Sequence, residues 1–170
     1  KKTGIVTTGS EVFHGRIKDT FGPIVRKKAE DYNCPVLGQR IVDDCKEDIT
    51  NAILSFIDEG AEMVFCTGGM SVDPDDLTPS AIMATGGEII TYGSPVLPGA
   101  MFLLAYYKDI PILGLPGCVM HSKNTVLDLV LPRILAGERI TKRDIAMYGQ
   151  GGFCLQCKEC VFPHCSFGKY

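Results

Sequence analysis

The sequence lacks the features of several protein classes. No apolar run approaches the roughly 20 residues that a transmembrane helix needs, and no secretory signal pattern is visible. The formal net charge is −3, and no basic cluster exceeds residues 26–28, which argues against a bulk nucleic-acid binder. GxxxxGK[ST] and GxGxxG motifs are also absent, which disfavours P-loop and dinucleotide-binding folds. We therefore expect a cytoplasmic protein that binds neither membranes nor nucleic acid.

The chain has 170 residues, of which 45% are hydrophobic and 22% are charged. This length is enough for one domain with a substantial core. The first residue is Lys1 rather than methionine, which is compatible with an excerpt of a longer chain. We predict a domain over residues 1–148 and a separate cysteine-rich tail over residues 149–170.

Apolar strand patterns alternate with helical patterns along the chain. Strands are predicted at residues 4–9, 35–42, 63–66, 88–92, 101–107 and 110–115, and helices at about 23–32, 46–59, 80–84 and 121–135. Such alternation predicts an α/β fold, with a mostly parallel sheet that helices cover on both faces. In these sheets, ligands bind beyond the carboxyl ends of the strands.

The most informative stretch is residues 67–79, which follows a predicted buried strand. Gly68 and Gly69 let backbone amides approach an anion where a Cβ would collide. Thr78 is the expected N-cap of the next helix, with Pro79 at its first position. Hard carboxylate ligands of the kind that suit magnesium also lie here; they are Asp73, Asp75 and Asp76. The alternative interpretation is a solvated acidic turn between a strand and a helix.

Two further loops follow predicted strands in the same way. They are Thr8-Gly9-Ser10 and Pro116-Gly117-Cys118. Because the carboxyl ends of parallel strands meet at one end of a sheet, these loops and the glycine-rich stretch are expected to converge on one anionic ligand.

Six short motifs follow one another along the chain. They are Thr8-Gly9-Ser10-Glu11, Gly15-Arg16-Ile17, Val42-Asp43-Asp44, Thr67-Gly68-Gly69-Met70-Ser71 with Asp76, Pro98-Gly99, and Leu115-Pro116-Gly117. In this order they resemble the signatures of the molybdopterin-binding domain of the MoaB, Mog and MoeA proteins, and the resemblance covers about residues 3–137. The resemblance implies a three-layer α/β/α sandwich, often trimeric in stand-alone members. It also implies a molybdopterin pocket beside a magnesium and nucleotide site. Mog-like members adenylylate molybdopterin with ATP, and MoeA-like members insert molybdate.

The resemblance also assigns roles to individual residues. Gly68, Gly69 and Ser71 match positions that cradle the phosphate or pterin, and Asp76 matches the acidic residue associated with magnesium and catalysis. Asp43 or Asp44 matches an acidic position after the second strand. The full set of binding candidates is Thr8, Gly9, Ser10, Asp44, Gly68, Gly69, Ser71, Gly99, Pro116, Gly117 and Cys118.

Two positions depart from the family pattern. Ala100 stands where a lysine or arginine is common, so a cation that could face a phosphate is missing. Cys118 stands where an asparagine is common, and a thiol cannot replace an amide as a hydrogen-bonding group. Both changes are expected to affect adenylyl transfer or molybdate insertion more than binding. A non-catalytic molybdenum cofactor carrier or sensor is therefore a second hypothesis.

A third hypothesis comes from the CinA-type proteins, which share the fold. Their glycine loop is followed by Asp-Asp-Leu-Thr, and residues 75–78 have this sequence. This resemblance implies a magnesium-dependent nucleotide pyrophosphatase, whereas Met70-Ser71-Val72 resembles the MoeA type.

Four of the eight cysteines crowd the last 17 residues, after the glycine-rich stretch 149–152. They are Cys154, Cys157, Cys160 and Cys165, and their spacing suits one tetrahedral zinc ion or an iron–sulfur cluster. Local disulfides or free thiols are the alternative.

The expected ligands are molybdopterin, Mg²⁺, ATP or AMP, and zinc or an iron–sulfur cluster in the tail. The expected protein partners are further copies of this chain, as a trimer or dimer, and molybdenum cofactor enzymes.

Overall fold

The computed structural model describes residues 1–71, 73 and 75–170. The strands are β1 (Thr3–Thr8), β2 (Val36–Val42), β3 (Met63–Thr67), β4 (Glu88–Tyr92), β5 (Leu103–Tyr107) and β6 (Ile110–Leu115). The helices are α1 (Ser10–Phe13), α2 (Phe21–Asp31), α3 (Lys46–Asp58), α4 (Thr78–Ala84), α5 (Val126–Leu135) and α6 (Lys142–Met147), with 3₁₀ turns at Gly117–Met120 and Tyr148–Gly151. Among these described residues, no helix is long and apolar enough to cross a membrane.

The six strands form one sheet in the order β2-β1-β3-β6-β5-β4. The pairs β1–β2, β1–β3 and β3–β6 are parallel, while β5 is antiparallel to both of its neighbours. The turn between β5 and β6 is tight, because Lys108 and Asp109 both take positive φ angles of 48° and 66°, as a two-residue hairpin requires. The predicted α/β fold with a mostly parallel sheet is confirmed.

Helices cover both faces of the sheet. Successive residues of a strand point to opposite faces, so Ile5 packs with α2 and α5 while Val6 packs with α3 and α4. The first core contains Val25, Ala29, Phe65, Val130 and Ile134. The second contains Ile49, Ile53, Phe56, Val64 and Ile82. Both faces are therefore buried, which explains why the central strands are almost continuously apolar.

Three local predictions were wrong. The segment after β1 is not only a loop, because it contains the short helix α1. Helix α4 begins at Thr78 itself, with Leu77 before it. The last long helix begins at Val126 rather than near residue 121, because Thr125 and Asp128 form a capping box that satisfies the first free amides of a helix.

The C-terminal tail packs against the α5 side of the domain. Phe167 is buried in the first core, and an added Cβ on Gly168 would lie 2.3 Å from Leu129. The glycines at the start of the tail are equally crowded. A Cβ on Gly151 would lie 2.2 Å from the Ser166 carbonyl oxygen, and a Cβ on Gly152 would lie 2.2 Å from the Pro95 carbonyl oxygen. These glycines therefore allow close approach of two chain segments, rather than only supplying flexibility.

Candidate functional site

The loops that carry the predicted site lie at one end of the sheet. Strands β1, β2, β3 and β6 are parallel and adjacent, so their carboxyl ends lie side by side. Strand β4 also ends here, because β5 is antiparallel to both β4 and β6. The loops after residues 8, 42, 67, 92 and 115 therefore all leave the sheet at the same end.

The glycine loop, residues 68–76, leaves β3 in close contact with the end of β1. Gly68 has a φ of +85°, and a Cβ there would lie 2.1 Å from the Thr8 carbonyl oxygen. The Thr78 hydroxyl donates to the Gly68 carbonyl at 2.8 Å and lies 3.1 Å from the Thr8 hydroxyl. The glycine is thus required by packing against β1 as well as by backbone conformation.

Asp76 closes the glycine loop. Its Oδ2 atom accepts a hydrogen bond of 2.6 Å from the Ser71 amide, and the side chain is partly exposed. From the other side, the Tyr92 hydroxyl donates to the Ser71 carbonyl at 3.0 Å. Burial, followed by the negative charge of Asp76, raises the pKa of Tyr92, so this phenol stays protonated as a donor at neutral pH.

The rest of the glycine loop divides into an anchored and an exposed part. Met70 is buried, and its side chain occupies the space beside Gly114 of β6. Asp73 and Asp75 are exposed. Val72 and Pro74 lie outside the described residues, so the resemblance of Met70-Ser71-Val72 to the MoeA type is not tested at its third position.

The ends of β1 and β2 are joined through two aspartates. The Ser10 amide donates to Asp44 Oδ2 at 2.8 Å, so Asp44 satisfies a free amide at the start of α1. His14 Nε2 lies 3.3 Å from Asp43 Oδ2. The Asp44 amide, which donates to Asp43, is the main cause of a lowered pKa for that exposed carboxyl group.

A cavity of about 530 Å³, which we call the strand-end cavity, lies where the 93–101 connection meets the segment after β6. Its lining includes Gly99, Ala100, Pro116 and Cys118. A Cβ on Gly99 would lie 2.5 Å from Val126 Cγ1, so only glycine lets this connection approach α5. Burial raises the pKa of Cys118, which keeps its thiol neutral. None of the described residues of the glycine loop belongs to this lining.

A neighbouring cavity of about 320 Å³, which we call the tail cavity, separates the tail from residues 121–124. All four tail cysteines line it, and Asn124 Nδ2 donates to Cys160 Sγ at 3.0 Å. Within the described ranges, however, no three His, Cys, Asp or Glu side chains lie close enough to hold one metal ion. The structure thus brings the thiols to one cavity without gathering them around one point.

The predicted residues therefore form three groups. Thr8, Gly68, Gly69, Ser71 and Asp76 lie together around the glycine loop. In the second group, Ser10 is hydrogen-bonded to Asp44, and Gly9 lies between Thr8 and the start of α1. Gly99, Pro116 and Cys118 share the strand-end cavity, and Gly117 begins the 3₁₀ turn there.

Two residues of this region were missed by the sequence analysis. Thr78 was interpreted as a cap, but its hydroxyl instead joins the glycine loop to Thr8. Tyr92 was interpreted only as a strand residue. Its position at the last residue of a strand before a glycine was the one available signal, because strand ends carry site residues in α/β folds.

Known proteins with similar sequences and structures indicate the family and the fold. The model of a family described as "Probable molybdopterin binding domain" matches residues 4–136. A CinA-like protein of Mycobacterium avium is 28% identical over 95 residues, which are 56% of this chain and 22% of that protein. A molybdopterin molybdenumtransferase of Synechococcus elongatus is 23% identical over 143 residues, or 78% of this chain and 36% of that protein. The chain thus spans only a part of the length of these relatives.

Among solved structures, the molybdopterin biosynthesis enzyme MoaB from Thermus thermophilus is similar with a TM-score of 0.65. The sequences are 22% identical, and the match covers 80% of this chain and 92% of that one. At this level of identity the similarity establishes the fold. The expectation of a MoaB-like and Mog-like architecture is confirmed.

Proposed function

Because this chain belongs to the family of probable molybdopterin-binding domains, we propose that it binds molybdopterin, or adenylylated molybdopterin, at the carboxyl end of its sheet. The observation that carries the proposal is the clamped glycine loop. Asp76 and Tyr92 hold Ser71 from opposite sides, and Thr78 fixes the loop to β1. A preorganised loop loses little conformational freedom when it binds a ligand.

The amides of this loop supply suitable groups for a phosphate. Within the part of the chain that the structure describes, the Gly69 and Met70 amides donate to no other residue. Consecutive amides in turns of this kind form anion-binding concavities. The strand-end cavity, whose lining is largely apolar, is a suitable size for a planar heterocycle. We assign the phosphate to the loop and the pterin ring to the cavity.

Magnesium would be held by Asp76. Magnesium in such sites usually has one or two carboxylates, several waters and the phosphates of its ligand, so a site with one protein carboxylate is adequate. Asp76 is only partly exposed, and one of its oxygens already accepts from Ser71, which leaves the other oxygen for a cation. The ion would neutralise phosphate charge at this loop.

More observations support ligand binding than support a catalysed reaction. The strand-end cavity includes Ala100 and Cys118, and neither supplies a cation or an amide to a reacting phosphate. In the catalytic version, adenylyl transfer would release pyrophosphate, and molybdate insertion would yield a molybdenum-containing product. In the carrier version, the ligand binds and neither product forms.

The test compares Asp76→Asn with Asp76→Ala by calorimetry with molybdopterin, with and without Mg²⁺. Asparagine retains an oxygen that can accept from Ser71, whereas alanine removes both the hydrogen bond and the charge. We expect Asp76→Asn to abolish the effect of Mg²⁺ but keep the magnesium-free affinity, and Asp76→Ala to weaken both. Absence of binding by the native chain, or equal affinity in all three proteins, would refute the proposal.

A second candidate function is a CinA-type nucleotide pyrophosphatase. The CinA-like relative from Mycobacterium avium matches more than half of this chain, and residues 75–78 have the Asp-Asp-Leu-Thr sequence. Magnesium-dependent hydrolysis of ADP-ribose by the native chain, lost in Asp76→Asn, would favour this function. Binding of molybdopterin without such hydrolysis would favour the first.

A metal site in the tail and a homo-oligomer are two further proposals. A zinc ion or an iron–sulfur cluster held by the four cysteines of the tail cavity would require these thiols to move together, because within the described ranges no three of them lie close enough to hold one ion. Elemental analysis with an absorbance spectrum of the native chain distinguishes the two from bare thiols, and a bound metal would make this cavity a metal site rather than a site for another ligand. The homo-oligomer implied by the family is tested by light scattering across a concentration series.

A further inference from the structure

The tail cavity differs in charge from the rest of the molecule. Its lining contains Lys123, Lys158 and His121, and no Asp or Glu lines it among the residues that the structure describes. The chain as a whole has a net charge of −3. Among the described residues, neither lysine side chain forms an ion pair. Two such cations around a partly enclosed space, without a carboxylate, favour an anionic ligand.

Aromatic side chains line the same cavity. Phe162 and Phe167 lie on one side with their ring centroids 6.1 Å apart, and Phe167 is buried. Phe153 is different, because it is 67% exposed and therefore contributes little to the core. An exposed aromatic ring beside cationic groups suits a planar heterocycle that carries a phosphate, since stacking and charge act on different parts of the same ligand.

The tail cavity and the strand-end cavity are adjacent. They share the lining residues Pro98, Ser122, Phe153, Cys154 and Gln156. The shared wall is fixed by backbone hydrogen bonds, because the Leu97 amide donates to Gly152 at 2.6 Å and the Cys154 amide donates to Leu97 at 2.9 Å. A ligand in one cavity therefore lies next to the other.

From this geometry we propose that the tail cavity is a subsite for a phosphate-bearing planar heterocycle, adjoining the site proposed above. The proposal rests on the proposed function for its neighbouring ligand. Residues 149–170 lie outside the family match, which ends at residue 136. The tail and the 121–124 segment would thus supply two cations close to the place where Ala100 provides none. A nucleotide and a pterin phosphate share the required chemistry.

Calorimetry on the full chain with AMP, and separately with molybdopterin, distinguishes these two sources. We expect the Lys123→Ala/Lys158→Ala double variant to bind the ligand of this subsite about tenfold more weakly, since each charge-assisted contact contributes a few-fold to tenfold. Lys158→Glu should weaken binding at least as much. Lys142→Ala is the matched control, because that lysine is exposed on α6 and lines neither cavity; its affinity should be unchanged.

NMR signals of the histidine rings report where the ligand binds, and the chain has three histidines. His121 lines the tail cavity, whereas His14 lies beside Asp43 at the other end of the site. The NMR signal of the His121 ring, assigned with His121→Gln, should shift on AMP or molybdopterin addition while that of His14 does not. Thermal unfolding of each variant shows whether the fold is retained.

The results of these experiments test the tail-cavity subsite and the proposed function separately. Weakened binding in the lysine variants, with a shifted His121 signal, supports the subsite, and the ligand affected identifies its source. If molybdopterin and AMP bind the double variant as tightly as the native chain, the subsite is wrong and the proposed function stands. If AMP binding is lost in Asp76→Asn but retained in the double variant, the nucleotide lies at the glycine loop, and the subsite is again refuted. If the native chain binds neither ligand, both proposals fail.

Discussion

Replacing Gly68 by alanine should damage the fold far more than the same change at another glycine with the same backbone conformation. Gly68 has a φ of +85°, and Gly60, which follows helix α3, has a φ of +88°. The two positions differ in their surroundings. A Cβ on Gly60 would have nothing within 4 Å, whereas one on Gly68 would lie 2.1 Å from the Thr8 carbonyl oxygen.

The expected magnitude has two parts. The left-handed conformation costs an L-residue about 1–2 kcal/mol, and this part is common to Gly60→Ala and Gly68→Ala. The collision is specific to Gly68. It is with backbone of β1, which pairs with strands on both sides and cannot move without disturbing two ladders, so overpacking adds about 1–3 kcal/mol. We expect Gly68→Ala to lower the free energy of unfolding by about 2–5 kcal/mol in total.

Urea unfolding followed by far-ultraviolet circular dichroism measures both variants, since the chain has no tryptophan for fluorescence. The slope of the transition should stay constant if only stability changes. Calorimetry with molybdopterin is the second measurement, in which Gly60→Ala should bind as the native chain does and Gly68→Ala should not. Equal destabilisation by the two substitutions would show that the contact with Thr8 carries no energy, and the packing argument for the glycine loop would be wrong.

Three further predictions follow from contacts elsewhere. Tyr92→Phe removes the hydroxyl that holds the glycine loop, so molybdopterin affinity in calorimetry should fall about threefold to tenfold with an unchanged melting temperature; equal affinity would contradict the clamp. Hydrogen bonds, of which the one from the Thr141 hydroxyl has the largest effect, lower the pKa of Asp144 to about 2. The ionised carboxylate therefore stabilises the folded state fully above about pH 4, and this contribution is lost as the pH falls toward 2. Asp144→Asn should therefore lower the free energy of unfolding by about 1 kcal/mol at pH 7, and this variant should lose less of that free energy than the native chain as the pH falls over the same acidic range; an equal loss in both proteins would contradict the assignment. Lys28 and Asp128 form a largely buried ion pair at 2.7 Å, so Lys28→Met should lower the free energy of unfolding by about 3–5 kcal/mol in urea. Adding Asp128→Asn, which removes the unpaired charge but keeps an oxygen for the α5 capping box, should recover part of that loss; a larger loss in the double variant would contradict this.

Much of the fold could be predicted because it depends on local patterns. Strand β3 is apolar from Met63 to Cys66 and buried throughout, and α3 shows its core face through Ile49, Ile53 and Phe56. Periodic apolar residues reveal burial directly, since each element must hide one face. The errors fall at element ends. The start of α5 was misplaced because the Thr125–Asp128 capping box was not recognised.

The sequence alone determined the succession of strands and helices along the chain, the turn at Gly68 and Gly69, and the carboxylate at Asp76. These follow from residue type and spacing within a few positions. Tertiary structure alone decided that Gly68 contacts Thr8, that Tyr92 holds Ser71, and that the tail cavity adjoins the strand-end cavity. Such contacts join residues far apart in the chain, and they depend on strand order and register, which local periodicity does not specify.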